Sequence, residues 1–398
     1  MRIAYLTDFD PMDVRHWSGL GLHILQCLRQ QGLDVEPIGP IPWRRSASAG
    51  YAAAKFVLYN YALRQKFGHY SRYLEPALIR LWAKLYQARL EGRSFDLIFS
   101  PFTQHLAYLE TDIPMVAWAD ATFGALNRLY NAERPLCREN LKAANFLESK
   151  ALAKFRLAIY ASDWAADSAM KDYGLLPERV AVIPYGANLE FTPEQNQVEQ
   201  SIADRSRELM ELLFIGVDYE RKGGPCAVEV ARRLNAAGVP ARLTIVGCRP
   251  PIDEPFVKVL GFLSKSHPRH RERLEAALRR SHFFILPSKA ECYGVVFCEA
   301  SSFGVPSIAT RVGGIPSAVR DGVNGRLFPP NPDPGDIAAW IMSITGDEES
   351  YRRLALSSYQ EYAERLNWTS AGKRVVRALE RVVAECGSRI APTQIASG

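Results

Sequence analysis

The sequence predicts two doubly wound α/β domains in tandem, each a parallel sheet covered by helices. Three observations predict it: short apolar runs alternating with helical patterns, a polar stretch that breaks the alternation near the middle, and glycine turns directly after several of the runs. At 398 residues the chain is too long for one ordinary core and suits two domains of about 180 residues each.

The runs of the first half are Arg2–Thr7, Val35–Ile38, Leu97–Ser100, Met115–Asp120, Leu157–Ser162 and Val180–Tyr185. Those of the second half are Leu212–Val217, Ala241–Gly247, Val257–Phe262, Phe283–Ser288 and Ser307–Thr310. Runs apolar on both faces read as buried parallel strands, since helices must cover both sides of such a sheet. The join is expected within Asn188–Glu208, which has almost no apolar periodicity. The expected divisions are a first domain over 1–190, a linker over 191–208 and a second domain over 209–350. A helical tail over 351–387 and disorder over 388–398 complete the scheme.

One segment stands apart. Residues 43–93 carry ten basic side chains against only Glu75 and Glu91, interleaved with aromatics such as Tyr51, Tyr61, Phe67, Trp82 and Tyr86. It reads either as a helical insertion with an aromatic core face, or as a surface for peripheral membrane contact or an anionic acceptor. The net charge of +6 is modest, and no nucleic-acid-binding module is recognisable, so no nucleic-acid partner is expected. Seven scattered cysteines lack metal-ligand spacing and argue against a disulfide framework. The opening MRIAYLTDFDP lacks the character of a signal peptide, and no run reaches the length of a spanning helix. A cytoplasmic protein is the expectation, with the inner membrane face as its peripheral site.

Ligands of doubly wound sheets bind beyond the carboxyl ends of the strands. After Phe283–Ser288 comes Lys289-Ala290-Glu291-Cys292-Tyr293-Gly294-Val295, and a helix should begin near Val295. Gly294 permits close backbone approach, and amides at a helix start favour anionic phosphate. Glu291 and Glu299, eight positions apart, are placed to grip two ends of one ligand. After Leu212–Val217, Arg221 and Lys222 precede a glycine pair and suit a pyrophosphate. Gly313 and Gly314 form a second glycine turn after Ser307–Thr310.

These residues resemble the retaining glycosyltransferases of the large group 1 family, also called family 4, which have two facing Rossmann-like domains (the GT-B fold). The pattern E-x-x-G-x-x-x-x-E is met by Glu291, Gly294 and Glu299, and EASSFGVPSIATRVGGIPSAVRDGVNGRLF continues the likeness. The resemblance implies a nucleoside diphosphate sugar as donor substrate, with no cofactor and no metal. It implies that Glu299 holds the donor ribose, Glu291 the transferred sugar, and Arg221 and Lys222 the diphosphate leaving group. Tyr293, Gly294, Val295, Leu260 and Gly19 are expected to complete donor binding. The tail helix is expected to cross back to the first domain.

The sequence departs from the family where Val217 and Asp218 follow Gly216, a place where many relatives carry arginine. Either Arg221 takes that role or the diphosphate is held less firmly. Asp120 reads as a group near the reacting sugar by resemblance, or as a cap for the helix starting at Ala121-Thr122-Phe123. The expected reaction is hexose transfer, with retention, to a saccharide or lipid-linked saccharide acceptor in polysaccharide, lipopolysaccharide or glycolipid synthesis. The rival readings are a nucleotide-sugar epimerase of the same architecture and a catalytically silent nucleotide-sugar binder. A dehydrogenase is disfavoured, because Trp17-Ser18-Gly19-Leu20-Gly21 is a poor dinucleotide fingerprint.

Overall fold

A computed structural model describes residues 1–14, 16–42, 46–63, 66–130 and 135–390. The chain divides into two compact units, Met1–Ile183 with Ala371–Gly398, and Pro184–Ser370.

The first unit holds a six-stranded parallel sheet of β1 (Arg2–Leu6), β2 (Asp34–Ile38), β3 (Leu97–Ser100), β4 (Met115–Ala119), β5 (Leu157–Tyr160) and β6 (Val180–Val182). Their order is β2-β1-β3-β4-β5-β6. Every residue of β3, β4 and β5 is buried, as strands covered on both faces require. The outer strands β2 and β6 are partly exposed.

The second unit holds β7 (Met210–Ile215), β8 (Ala241–Val246), β9 (Val257–Gly261), β10 (Phe283–Leu286), β11 (Ser307–Thr310) and β12 (Gly325–Phe328). These lie in the order β12-β11-β10-β7-β8-β9, all parallel. The chain winds outward one way from β7 and then crosses to place β10 on its other side. The strand direction of travel therefore reverses between β7 and β10, and in the first sheet between β1 and β3.

Several expected strands stop one or two residues early because their last polar residue leaves the ladder. Ser162, for example, caps the helix Asp163–Tyr173, its Oγ accepting the Ala165 amide at 3.3 Å. The strand β12 was not anticipated: GRLF is short, and Arg326 points to solvent at the sheet edge. Gly325 pairs with Ser307, where a Cβ would stand 1.9 Å from the Ser307 carbonyl oxygen.

The segment 191–208, read from sequence as a linker, contains the helix Gln195–Ala203 with a capping box between Glu194 and Gln197. Val198 and Ile202 are buried by it. Arg205 is buried too, donating to the carbonyls of Phe303 and Gly304 at 2.9 Å each and to the Tyr351 hydroxyl at 2.7 Å. The tail forms two helices, Glu348–Glu364 and Trp368–Ile390. The second belongs to the first unit from Ala371 onward. It buries Ala371, Val375, Ala378, Leu379 and Val382, a 3–4 residue stripe, and Arg374 donates to the β6 carbonyl of Val182 at 2.7 Å. Of the tail's expected disorder over 388–398, residues 391–398 lie outside the described residues.

The basic aromatic segment splits between its two readings. Tyr70, Trp82 and Tyr86 are core residues, while Tyr51, Tyr61 and Phe67 are exposed. Lys55 is held by Glu75 and Glu139, and Arg93 by Glu36. Trp43, Arg44, Arg45 and Arg64 lie outside the described residues. Among the described residues no helix is long and apolar enough to cross a membrane.

Replacing Arg205 by Leu strands two buried carbonyls and the Tyr351 hydroxyl. The chain is expected to lose about 3 kcal/mol of stability, read as a lower urea midpoint. A variant as stable as the parent contradicts that bracing role.

Candidate active site

Doubly wound sheets bind ligands beyond the carboxyl ends of the strands where the winding reverses, and the loops leaving β7 and β10 meet at that place. Lys222, on the β7 loop, donates from Nζ to Oε2 of Glu291, on the β10 loop, at 2.8 Å. Both side chains are about one-seventh exposed, 14% each, so the pair is shielded yet reachable from solvent. Arg221 bridges the same loops. Its Nε donates to Asp218 at 3.1 Å and its Nη1 to the Ala290 carbonyl at 2.6 Å, with Nη1 3.9 Å from Glu291. The third loop joins through backbone, since the Gly314 amide donates to the Glu291 carbonyl at 3.2 Å.

Two glycines make this convergence sterically feasible. Gly223 has φ +80°, and a Cβ there would sit 2.2 Å from the Pro287 carbonyl oxygen. Gly294 has φ +82°, and its Cβ would meet the Phe297 ring at 2.6 Å. The helix Val295–Ser301 starts directly after Gly294, where expected. The amides of a helix's first turn have no carbonyl partner within the helix, so Val295 opens that helix with an outward donor.

Glu299 is 2% exposed, and its carboxylate pairs with Lys265 Nζ. The loop after β9 supplies Lys265, which was not among the residues expected from sequence. Its signal is the one that marks Lys222, a lysine just past the carboxyl end of a parallel strand. Leu260 lies half-buried near the carboxyl end of that edge strand. The side chain of Tyr293, a residue expected to complete donor binding, lies in the core. It is 2% exposed, donates its hydroxyl to the Tyr185 carbonyl at 3.1 Å, and packs edge-on against the Tyr185 ring. Burial pushes its phenol well above the ordinary value. The structure therefore gathers Arg221, Lys222, Glu291 and Gly294 at one sheet edge, with Glu299 in the helix behind Gly294.

Gly19 and Asp120 belong to the first unit. Trp17, Ser18 and Gly19 run consecutively through left-handed backbone, with φ of 48°, 55° and 80°. This turn brings the Trp17 indole to Asp120, Nε1 donating to Oδ2 at 3.1 Å. Asp120 is not the helix cap: Thr122 Oγ1 accepts the Ala125 amide at 3.2 Å and fills that role. Beside Asp120 lies a cavity of about 280 Å³ at the carboxyl ends of β1, β3 and β4. Glu148 lines it, 1% exposed, with Oε2 accepting the Thr103 hydroxyl at 2.7 Å. Burial pushes the Glu148 carboxyl up to about 7, opposed by Thr103 and the Phe123 backbone. His105, buried in the same wall, is driven down to about 4 and stays neutral. Among the described residues, no group of three or more His, Cys, Asp or Glu is placed to share a metal ion.

With this geometry in view, residues 210–347 match the family model described as Glycosyl transferases group 1. The chain carries a glycosyl transferases group 1 domain. The match begins at the first residue of β7 and takes in Arg221, Lys222, Glu291, Gly294 and Glu299. Among curated relatives, the D-inositol 3-phosphate glycosyltransferase of Corynebacterium urealyticum is 27% identical over 72% of this chain and 72% of its own length. Others of that name align over only about half of their length. Among solved structures, the sucrose-phosphate synthase of Thermosynechococcus elongatus superposes with a TM-score of 0.68 at 16% identity, over 96% of this chain and 99% of that one. The Anabaena protein HepE in complex with UDP-glucose gives 0.60 at 19% identity, over 96% and 100%. The two parallel-sheet units thus have the GT-B glycosyltransferase fold, with the group 1 domain as the second.

The raised Glu148 group makes a pH-dependent prediction. The unfolded carboxyl ionises near 4.5, whereas the folded one keeps its proton to about 7. Its contribution to stability is therefore present at pH 4.5 and is lost as pH rises through 7. Glu148→Gln lacks this loss, so its melting temperature should climb relative to the parent between pH 5 and pH 8. The full span is on the order of 3 kcal/mol. A difference that stays flat across that range contradicts the assignment.

Proposed function

We propose that this chain transfers a hexose from a nucleoside diphosphate sugar to an acceptor hydroxyl, with retention at the anomeric carbon. The observation that carries this reading is the Lys222–Glu291 ion pair across the β7/β10 crevice, inside the group 1 domain. A diphosphate entering that crevice meets Lys222, and departure of the nucleotide leaves negative charge where this ammonium is already fixed. Arg221 holds the two loops at their spacing and adds a second positive charge 3.9 Å from Glu291. Glu291, displaced from Lys222 by the diphosphate, is free to accept from hydroxyls of the transferred sugar.

Glu299 binds the ribose diol. Its carboxylate is already desolvated and held by Lys265, so little further cost attaches to burying it under a nucleoside. Val295 offers its amide to the phosphate, and Leu260 gives an apolar contact to the donor at the end of β9. For Gly19 and Asp120 the family resemblance supports a role at the transferred sugar. With cations of the chain facing the leaving group, no metal ion is required. The UDP-glucose complex of the similarly folded HepE supports a nucleoside diphosphate sugar as donor. Attack by the acceptor on the face the nucleotide leaves, with the leaving phosphate taking the acceptor proton, gives retention.

We assign the acceptor to saccharides or lipid-linked saccharides met at the inner face of a cytoplasmic membrane, in polysaccharide or glycolipid synthesis. The exposed Tyr51, Val57, Leu58, Tyr61 and Phe67 support this. They lie in one stretch with Lys66 and Arg72, apolar groups to enter the headgroup layer and cations to meet its anions. Vesicles containing anionic lipid should sediment the protein, whereas neutral vesicles should not; equal behaviour on both argues against an interfacial surface.

A thermal-shift screen of nucleoside diphosphate sugars should reveal a stabilising donor. With that donor and EDTA present, the parent should turn over. Lys222→Ala should lower kcat by about 100-fold, while Glu299→Ala should chiefly weaken donor binding. An unchanged kcat for Lys222→Ala at saturating donor removes the leaving-group role.

A further inference from the structure

The loop after β9 reaches the helix Val295–Ser301 through the side chain of Lys265, whose Nζ donates to Oε1 of Glu299, 34 positions along the chain. The two partners differ in access: the Glu299 side chain is 3% exposed and that of Lys265 40%. The ammonium therefore links an enclosed carboxylate to the surface, and a ligand approaching Glu299 meets Lys265 as well. A surface lysine ordinarily samples many rotamers, so what holds its base decides whether such a contact is built in. Here the Ser264 amide donates to His270 Nδ1 at 3.1 Å, and the His267 amide donates to the Ser264 carbonyl at 3.1 Å. The hydroxyls of Ser264 and Ser266, on either side of Lys265, bond each other at 2.7 Å. Arg271 Nη1 lies 3.5 Å from the Lys265 carbonyl oxygen and is itself paired with Glu190. The first turn of the helix Pro268–Arg280 thus fixes the backbone from which the ammonium is aimed.

A ribose diol brought to Glu299 either displaces that ammonium or lodges beside it. Displacement leaves a buried carboxylate facing only neutral hydroxyls, and breaking one side of an enclosed ion pair costs more than such hydrogen bonds return. Lodging beside it keeps the pair whole. An ammonium carries three donors, of which Glu299 takes one. Neighbouring hydroxyls of a ribose then fit both charges, one donating to the Glu299 carboxylate and the next accepting from Lys265.

We propose that Lys265 stays on Glu299 when the donor binds and reads the ribose together with it, which makes the site selective for ribonucleotides over deoxyribonucleotides. The proposal rests on the transferase reading above and adds a specificity-determining residue to its donor site. A carboxylate alone recognises a hydroxyl only as a hydrogen-bond donor. The Lys265–Glu299 pair recognises a donor and an acceptor side by side, which a diol supplies and a deoxyribose does not. Without its second hydroxyl, the ligand leaves one of the two charged groups facing nothing.

Calorimetric titration of the full-length protein with UDP, GDP and ADP selects the tightest nucleotide, which is then compared with its 2′-deoxy and 3′-deoxy forms. The parent should bind each deoxy form about tenfold more weakly or worse. Lys265→Met should weaken the ribonucleotide about tenfold or more, yet weaken one deoxy form no more than about threefold. In that form the hydroxyl that Lys265 meets is already missing, so it identifies which hydroxyl this is. A lysine that merely props Glu299 would lower all three affinities by one common factor. Should Lys265→Met fail to fold, Glu299→Gln is compared with the Glu299→Gln, Lys265→Met double variant, which strands no buried charge. The same unequal losses are expected between those two. Equal losses for the three nucleotides, no loss for Lys265→Met, or tighter ribonucleotide binding by it overturns the proposal, the last because the ammonium is then displaced. Such a result with nucleotide binding kept removes this inference alone, whereas no response of the parent to UDP, GDP or ADP removes the transferase reading.

Discussion

The ion pair between Lys222 and Glu291 is the contact around which the second unit is arranged. It spans the place where the winding of the second sheet reverses, and its two residues stand on loops beyond the short β7–β10 ladder, which pairs Phe283 with Leu212 and Phe284 with Leu213. Something else must fix their separation, and four features do so. Arg221 ties Asp218 to the Ala290 carbonyl, and the Lys289 amide donates back to the Arg221 carbonyl at 2.8 Å. Gly223 lets its loop press against Pro287, and Gly314 holds the backbone of Glu291 from the third side. The consequence is a cation and a carboxylate positioned in advance, which is what a charge-separating reaction requires of its site.

The two units handle buried carboxyls in opposite ways. Glu299 is enclosed with the Lys265 ammonium against it, so its carboxylate is held in place by an ion pair. Glu148 is enclosed with no cation paired to it, only the Thr103 hydroxyl and the Phe123 backbone, and burial raises it to about 7.

Much of this was legible in the sequence where local chemistry is decisive. Apolar runs marked eleven of the twelve strands, because strands covered on both faces cannot hide among amphipathic patterns. Glu291, Gly294, Arg221 and Lys222 were legible because a positive-φ glycine and paired cations after a strand have few other uses. What escaped depended on distant partners. β12 is an edge strand whose Gly325 makes sense only against Ser307. The burial of the Tyr293 side chain depends on a distant partner, since its ring packs edge-on against Tyr185, which sequence does not reveal. The polar 191–208 stretch concealed a helix with two buried aliphatics and the Arg205 brace, since Arg205 finds its acceptors about a hundred residues away. Glu148 looked like any helical surface acid until the fold enclosed it.

The most direct test of the account is a double-mutant cycle on Lys222 and Glu291, read by calorimetric affinity for the nucleoside diphosphate that the screen selects. Lys222→Met should weaken binding about tenfold or more. Glu291→Gln, by releasing the lysine, should leave affinity unchanged or improve it, and the double variant should behave as Lys222→Met alone. Equal losses for the two single variants, or none for Lys222→Met, would contradict the placement of the diphosphate on this ion pair.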